Sequence, residues 1–196
     1  MSRSIGRLGW GSSGDGSDLT EIPADLQPQW IPAGAWTPDP ANSLPSLIEK
    51  NFGVSPGGTF SAYTTIDLPQ VSVGGAQYWY YTAAPPLSWD SNQIQFAVHF
   101  IVEDAISLPG GYRFTLGGRR QQDVSVVLGA KTSGNVDYDL SDSNVPRYRI
   151  TSLSSAITIA SAVAGEGLHL ELTRGVNPTS EESDSTFIVG IELHYV

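Results

Sequence analysis

The three histidines and the acidic residues beside them are the first candidates for chemistry. His99, His169 and His194 each fall on the polar side of an alternating segment. If the last two predicted strands pair with each other, His169 and His194 lie close together, with Glu171 and Glu192 nearby. Two imidazoles and a carboxylate form a donor set that zinc accepts. A solvated or interfacial sheet face of mixed charge explains the same residues, and we favour it, so no metal ligand is assigned.

Other catalytic patterns are missing from the sequence. There is no His-x-His for a cupin-type metal site, no Gly-x-Ser-x-Gly elbow, and no glycine-rich loop that opens a helix to hold phosphate. Acidic residues cluster at Glu103-Asp104 and at 181–184, but nothing in the sequence places two carboxylates across a cleft. The chain has no cysteine, which excludes thiol and thiolate chemistry. We therefore predict no catalytic residue, no cofactor and no enzymatic activity.

The aromatic residues indicate binding instead. The run Tyr78-Trp79-Tyr80-Tyr81 and the nearby Trp89 have the composition of a sugar-stacking site, and equally that of a core strand that meets a neighbouring subunit. Trp10, Trp30 and Trp36 lie in a proline-rich stretch that is too apolar for a solvated linker. Because aromatic side chains dominate interface hot spots, all five tryptophans are predicted to contact a partner.

The charge balance narrows the class of partner. Twenty acidic residues against ten basic ones give a net charge of −10, the wrong sign for binding nucleic acid or an anionic membrane. Arg147 and Arg149 share one face of a predicted strand, opposite Tyr148 and Ile150. Arginine suits fixed salt bridges across a subunit contact, so both arginines are added to the predicted partner-binding residues.

Alternation of apolar and polar residues from residue 59 onward predicts eight or nine short strands separated by glycine- and proline-rich turns. The clearest run places Ile94, Phe96, Val98 and Phe100 on one side, and another strand is predicted at 124–128. This pattern is typical of an antiparallel two-sheet β-sandwich, a jelly roll, here over residues 58–196. Residues 1–57 are predicted to be an extended N-terminal arm with one short helix at 45–52.

From residue 76 to the last residue, the landmarks resemble a jelly-roll family of small tailed-phage virion proteins that includes capsid decoration proteins, head fibres and tail knobs. The residues that carry the resemblance are Tyr78-Trp79-Tyr80, Pro85-Pro86, Trp89-Asp90, Ile94-Gln95-Phe96-Ala97-Val98-His99-Phe100, Gly167-Leu168-His169-Leu170-Glu171-Leu172-Thr173-Arg174 and Gly190-Ile191-Glu192-Leu193-His194-Tyr195. The resemblance implies a non-enzymatic protein, commonly a homotrimer, that is assembled in the host cytoplasm and attaches to the virion through its N-terminal arm.

The function predicted from these features is a capsid decoration (cement) or head-fibre protein that binds the outer shell, through the major capsid protein or another virion protein, and stabilises it. The alternative is a tail knob or receptor-binding module that holds host glycans, either at residues 78–89 or at the acidic loop 181–184.

Overall fold

A computed structural model describes residues 27–39, 47–52, 61–68, 77–102, 110–121, 130–140, 147–175 and 186–196. Within these ranges the chain is all-β, apart from a short 3-10 turn at Ala33–Ala35, and no helix there is long and apolar enough to cross a membrane. The strands are β1 (Gln29–Pro32), β2 (Thr37–Pro38), β3 (Leu47–Phe52), β4 (Ser61–Leu68), β5 (Trp79–Ala83), β6 (Gln93–Val102), β7 (Gly111–Arg120), β8 (Thr132–Asp139), β9 (Arg147–Ile150), β10 (Ile157–Thr158), β11 (Leu168–Gly175) and β12 (Thr186–Tyr195).

The strands form two antiparallel sheets, which confirms the predicted β-sandwich. The seven-stranded sheet has the order β10-β6-β12-β4-β3, with β9 also paired to β6 and β1 also paired to β12. The five-stranded sheet has the order β2-β5-β11-β7-β8. The chain therefore crosses between the sheets from β4 to β5, β6 and β7, adds the hairpin partner β8, returns to β9 and β10, and crosses again to β11 and back to β12. This connectivity is that of a jelly roll, with β3 added beyond β4 and β2 added beyond β5.

The core lies between the sheets, as the period-two pattern predicts. Ile94, Phe96, Val98 and Phe100 of β6 are fully buried, as are the three alternating leucines of β11. Burying such a side chain contributes about 1.5–3 kcal/mol, so these strands are held in register by the face they bury.

Glycines in mid-strand make room for a crossing segment. A Cβ on Gly118 of β7 would lie 2.6 Å from Cδ1 of Ile159, and one on Gly134 of β8 would lie 2.6 Å from Cγ1 of Ile157. The segments Gly117-Gly118 and Ser133-Gly134-Asn135 have the composition of turns and are predicted as such from the sequence, but that prediction is wrong, since Gly118 and Gly134 lie inside strands. Glycine within a strand often marks a close approach of another part of the chain, and here two isoleucines fill the space.

The predicted arm is partly incorporated into the sandwich. β1 pairs with β12, β2 pairs with β5, and β3 pairs with β4, so the boundary drawn at residue 57 is corrected. Pro32 and Pro38 end short strands at sheet edges, where the missing N–H costs little. The helix predicted at 45–52 is wrong, because Leu47–Phe52 forms a strand. Residues 1–26 and the strand predicted at 124–128 lie outside the described residues.

Candidate functional site

The outer face of the five-stranded sheet is charged and internally compensated. Arg113 donates to both carboxylate oxygens of Asp137 at 2.6 and 2.7 Å. Lys131 donates to Glu171 at 2.6 Å, and Arg119 lies 3.7 Å from the same carboxylate. The partly exposed Arg113–Asp137 pair contributes about 0–1 kcal/mol to stability, whereas Glu171 is buried beneath its two cations, and both arrangements leave few polar groups free for a ligand. This face is that of a solvated sheet.

His169 belongs to this charged face and is far from its predicted neighbour. Its ring stacks on Tyr80 with the centroids 5.1 Å apart, and burial, followed by the charge of Arg119, lowers the pKa of His169. His194 lies on β12 in the other sheet, so the predicted proximity of these two histidines is wrong. Within the described ranges, no group of histidine and acidic side chains is arranged to hold a metal ion.

The outer face of the seven-stranded sheet carries a continuous row of rings. The centroids of Trp30 and His99 are 4.8 Å apart, with ring planes at 81°. Those of His99 and Tyr148 are 5.8 Å apart, and those of Tyr148 and Tyr63 are 6.5 Å apart. We call Trp30, His99, Tyr148 and Tyr63 the aromatic row. Its members come from β1, β6, β9 and β4, so side chains far apart in sequence meet only because these strands share one sheet.

Trp30 is the most exposed tryptophan that the structure describes, at 46% of its full surface. Its indole lies across Gly190 of β12, because a Cβ there would come within 2.5 Å of the ring atom Cη2. The strand also carries a β-bulge between Ile188 and Gly190, which places the glycine beneath the ring. One side of the indole therefore rests on the sheet, and the other side faces solvent.

Polar groups accompany the aromatic row. Glu192 lies directly across from Trp30 in the strand register, and its carboxylate is 2.9 Å from Nε2 of His194 and 3.4 Å from Nε2 of His99. A carboxylate only accepts hydrogen bonds, so Nε2 of His99 carries the proton and, in the neutral ring, Nδ1 accepts from the Tyr148 hydroxyl 2.6 Å away. Burial, and then Tyr63 and Glu192, raise the pKa of Tyr148, which keeps this phenol a donor.

A small cluster of buried apolar side chains lies beneath the Tyr63 end of the aromatic row. Ile101 and Phe187 are buried on this outer side of the sheet, away from the main core, and Tyr63 and Val189 pack against them. Tyr148 and Ile150 on β9 are 43% and 49% exposed. Exposed apolar surface with a few convergent polar groups is typical of a binding face.

Most of the predicted partner-binding tryptophans are core residues. Trp36, Trp79 and Trp89 are buried, so the prediction that they contact a partner or a sugar is corrected. Trp79 follows the inward alternation of β5, and the Trp89 indole packs on Tyr195 and donates to the Gln93 carbonyl at 2.9 Å. Of the predicted tryptophans, Trp30 is exposed. Trp10 and the acidic loop 181–184 lie outside the described residues.

Strand β9 turns its tyrosine and isoleucine to solvent, rather than Arg149, which was predicted to contact a partner. Arg149 is only 5% exposed and lies over the Tyr138 ring, with 5.8 Å between its guanidinium carbon and the ring centroid. Tyr148 and Ile150 point outward instead, so Arg149 is removed from the candidate partner contacts. Arg147 pairs with Val102 through the backbone, and its side chain lies outside the described part. The sequence showed that arginine and tyrosine alternate there, but not which set faces the core.

No family model matches the chain, and no curated protein matches it. Among solved structures, the chain is similar to the CBM22-1–GH10 modules of endo-1,4-β-D-xylanase 10B from Clostridium thermocellum, which were crystallised with xylohexaose. The TM-score is 0.44 at 9% identity, and the match covers 87% of this chain but only 28% of the xylanase chain. A likeness at this level carries no argument about function, so the site is interpreted from its own geometry.

Proposed function

We propose that this chain is a non-enzymatic binding protein that holds a glycan on the outer face of its seven-stranded sheet. The observation that carries the proposal is the half-exposed indole of Trp30, supported from below by Gly190. A sugar ring has an apolar C–H face that packs on a flat aromatic ring, and hydroxyls at its edge that need polar partners. Glu192, His194 and the Tyr148 hydroxyl supply such partners beside the row.

The contrast between the two outer faces supports this assignment of the surface. The charged groups of the five-stranded sheet are paired with one another, whereas the aromatic row leaves Trp30 and Tyr148 open to solvent. Among the functions implied by the resemblance to phage virion proteins, a glycan-binding tail knob therefore fits the surface better than a cement protein. The virion location, the homotrimer and the contact with a capsid protein stay predictions of that resemblance.

The test is binding of the full chain to an array of neutral and acidic glycans, followed by calorimetric titration with the best ligand. Trp30→Ala should lose about 2 kcal/mol of binding free energy, or roughly 30-fold in Kd. The matched control is Leu87→Ala, which removes an 85% exposed apolar side chain from a loop outside the aromatic row and should leave Kd unchanged. Absence of any glycan ligand, or equal affinity of Trp30→Ala, would contradict the proposal.

A second copy of the chain is the competing occupant of this face. Light scattering separates the two cases, because a homotrimer has a mass of about 63 kDa, three times the 20.9 kDa of one chain. If the aromatic row is a subunit contact, Trp30→Ala lowers the measured mass. If it is a glycan site, the mass of Trp30→Ala equals that of the unmodified chain, whichever oligomer that chain forms.

A further inference from the structure

The side chains around Trp30 also define what kind of sugar this face accepts, and this inference rests on the proposed function. Glu192 is the acidic group nearest the indole, because the register places it directly opposite Trp30 on the neighbouring strand. Its side chain is about one-third exposed, at 34%, so a ligand lying on the indole can reach the carboxylate.

The charges described around Trp30 disfavour acidic sugars. Two carboxylates belong to the side chains that the structure describes on the outer face of the seven-stranded sheet. Glu192 lies on β12, and Asp67 lies on β4, the strand that pairs with β12. No arginine or lysine is among those described side chains. Lys50 of β3 pairs with Tyr63, at the end of the aromatic row away from Trp30, and its side chain lies outside the described part. An anionic ligand would face the Glu192 carboxylate, whose partners are the imidazoles of His99 and His194, and like charges brought together at an interface weaken binding strongly.

The carboxylate geometry favours two hydroxyls at once. Oε1 of Glu192 accepts from His194 and Oε2 lies 3.4 Å from Nε2 of His99, so each oxygen has one imidazole partner. A carboxylate offers about four lone-pair positions, which leaves one on each oxygen for a ligand donor. Two neighbouring ring hydroxyls match this pair of acceptors, and the two imidazoles hold the carboxylate in place for them.

We propose that Glu192 is the specificity-determining residue of the site, and that it selects uncharged sugars with two adjacent free hydroxyls over their acidic counterparts. Trp30 supplies stacking that is common to both kinds of sugar. Glu192 supplies the discrimination, since it attracts a hydroxyl pair and repels a carboxylate.

The experiment compares sugars that differ in a single group. The probes are the methyl β-glycosides of glucose and galactose and the matching methyl glycosides of glucuronate and galacturonate, titrated into the isotopically labelled full chain and followed by NMR. The unmodified chain should bind a neutral glycoside at least about tenfold more tightly than its uronate. Glu192→Gln keeps the side-chain shape and should reduce that ratio to about threefold or less, chiefly by admitting the uronate.

Trp30→Phe is the matched variant for stacking, and it should weaken both members of a pair by the same factor. A neutral-to-acidic ratio that is unchanged in Glu192→Gln overturns the specificity role while leaving glycan binding intact. Tighter binding of the uronate by the unmodified chain overturns it as well. If none of the glycosides binds up to its solubility limit and the glycan array is also blank, the proposed function itself fails. A further probe, the 3-O-methyl derivative, should bind less tightly than its parent if adjacent hydroxyls are required.

Discussion

Replacing Gly190 with alanine tests whether the backbone of β12 supports the Trp30 indole. The added Cβ would lie within 2.5 Å of Cη2 of Trp30 and 2.9 Å from the backbone oxygen of Ile31. Since carbon atoms pack at about 3.5–4.0 Å, the ring has to move by about 1 Å or more. Trp30 is half-exposed and can swing outward, but the Ile31 carbonyl belongs to the backbone of β1 and has to shift with its strand, so the loss of stability should fall within the usual range of overpacking costs, about 1–3 kcal/mol.

The consequence for binding is measured separately from the consequence for folding, on the folded variant. A displaced indole no longer lies beside Glu192, so Gly190→Ala should lose nearly as much affinity as Trp30→Ala, roughly 30-fold in Kd. NMR of the indole N–H groups reports the ring directly, because the Trp30 signal is assigned by its disappearance in Trp30→Phe.

A second glycine serves as the matched control. On the other sheet, a Cβ at Gly117 would lie 2.9 Å from Cδ of Lys131, whose flexible side chain can move aside, so Gly117→Ala should leave both the Trp30 signal and Kd unchanged. The reasoning is refuted if Gly190→Ala keeps the indole signal of Trp30 in place and changes Kd by less than about twofold.

Three further outcomes follow from the structure. Trp79→Ala empties a fully buried position and should cost about 3–5 kcal/mol in denaturant unfolding, whereas Trp30→Ala should cost under about 1 kcal/mol; similar losses would contradict the assignment of core and surface. Burial lowers the pKa of His169, so protonation of this histidine opposes folding, and the stability it contributes is present above pH 6.5 and lost as the pH falls below it. The thermal unfolding temperature of His169→Gln should therefore depend less steeply on pH below 6.5 than that of the unmodified chain. Gly134→Ala should destabilise the sandwich by about 1–3 kcal/mol through a clash with Ile157. A double-mutant cycle with Ile157→Ala, which removes the clashing Cγ1, should show coupling, whereas simple additivity would argue against the contact.

Strand alternation was sufficient to predict the fold class, and β6 shows why. Its five inward residues are all apolar, and only one strand register buries them together, so periodicity identifies both the strand and its core face. β8 was missed for a physical reason as well. Its Ser133-Gly134-Asn135 segment has turn-like composition, and glycine is accepted there only because Ile157 packs into the space from elsewhere in the chain.

The candidate site was less accessible to sequence reasoning. Trp30 and His99 are recognisable in the sequence as a tryptophan and a histidine that could bind, but the aromatic row also needs Tyr63 and Tyr148 from two other strands. The chemical character of each side chain, and the acidic balance that disfavours anionic partners, were set by the sequence alone. Tertiary structure decided the exposure of each tryptophan, because burial depends on the pairing of the strands and on the face that each strand turns to the core. β1, β6, β9 and β12 meet only in the folded sheet, and that meeting places Trp30 over Gly190 and beside Glu192.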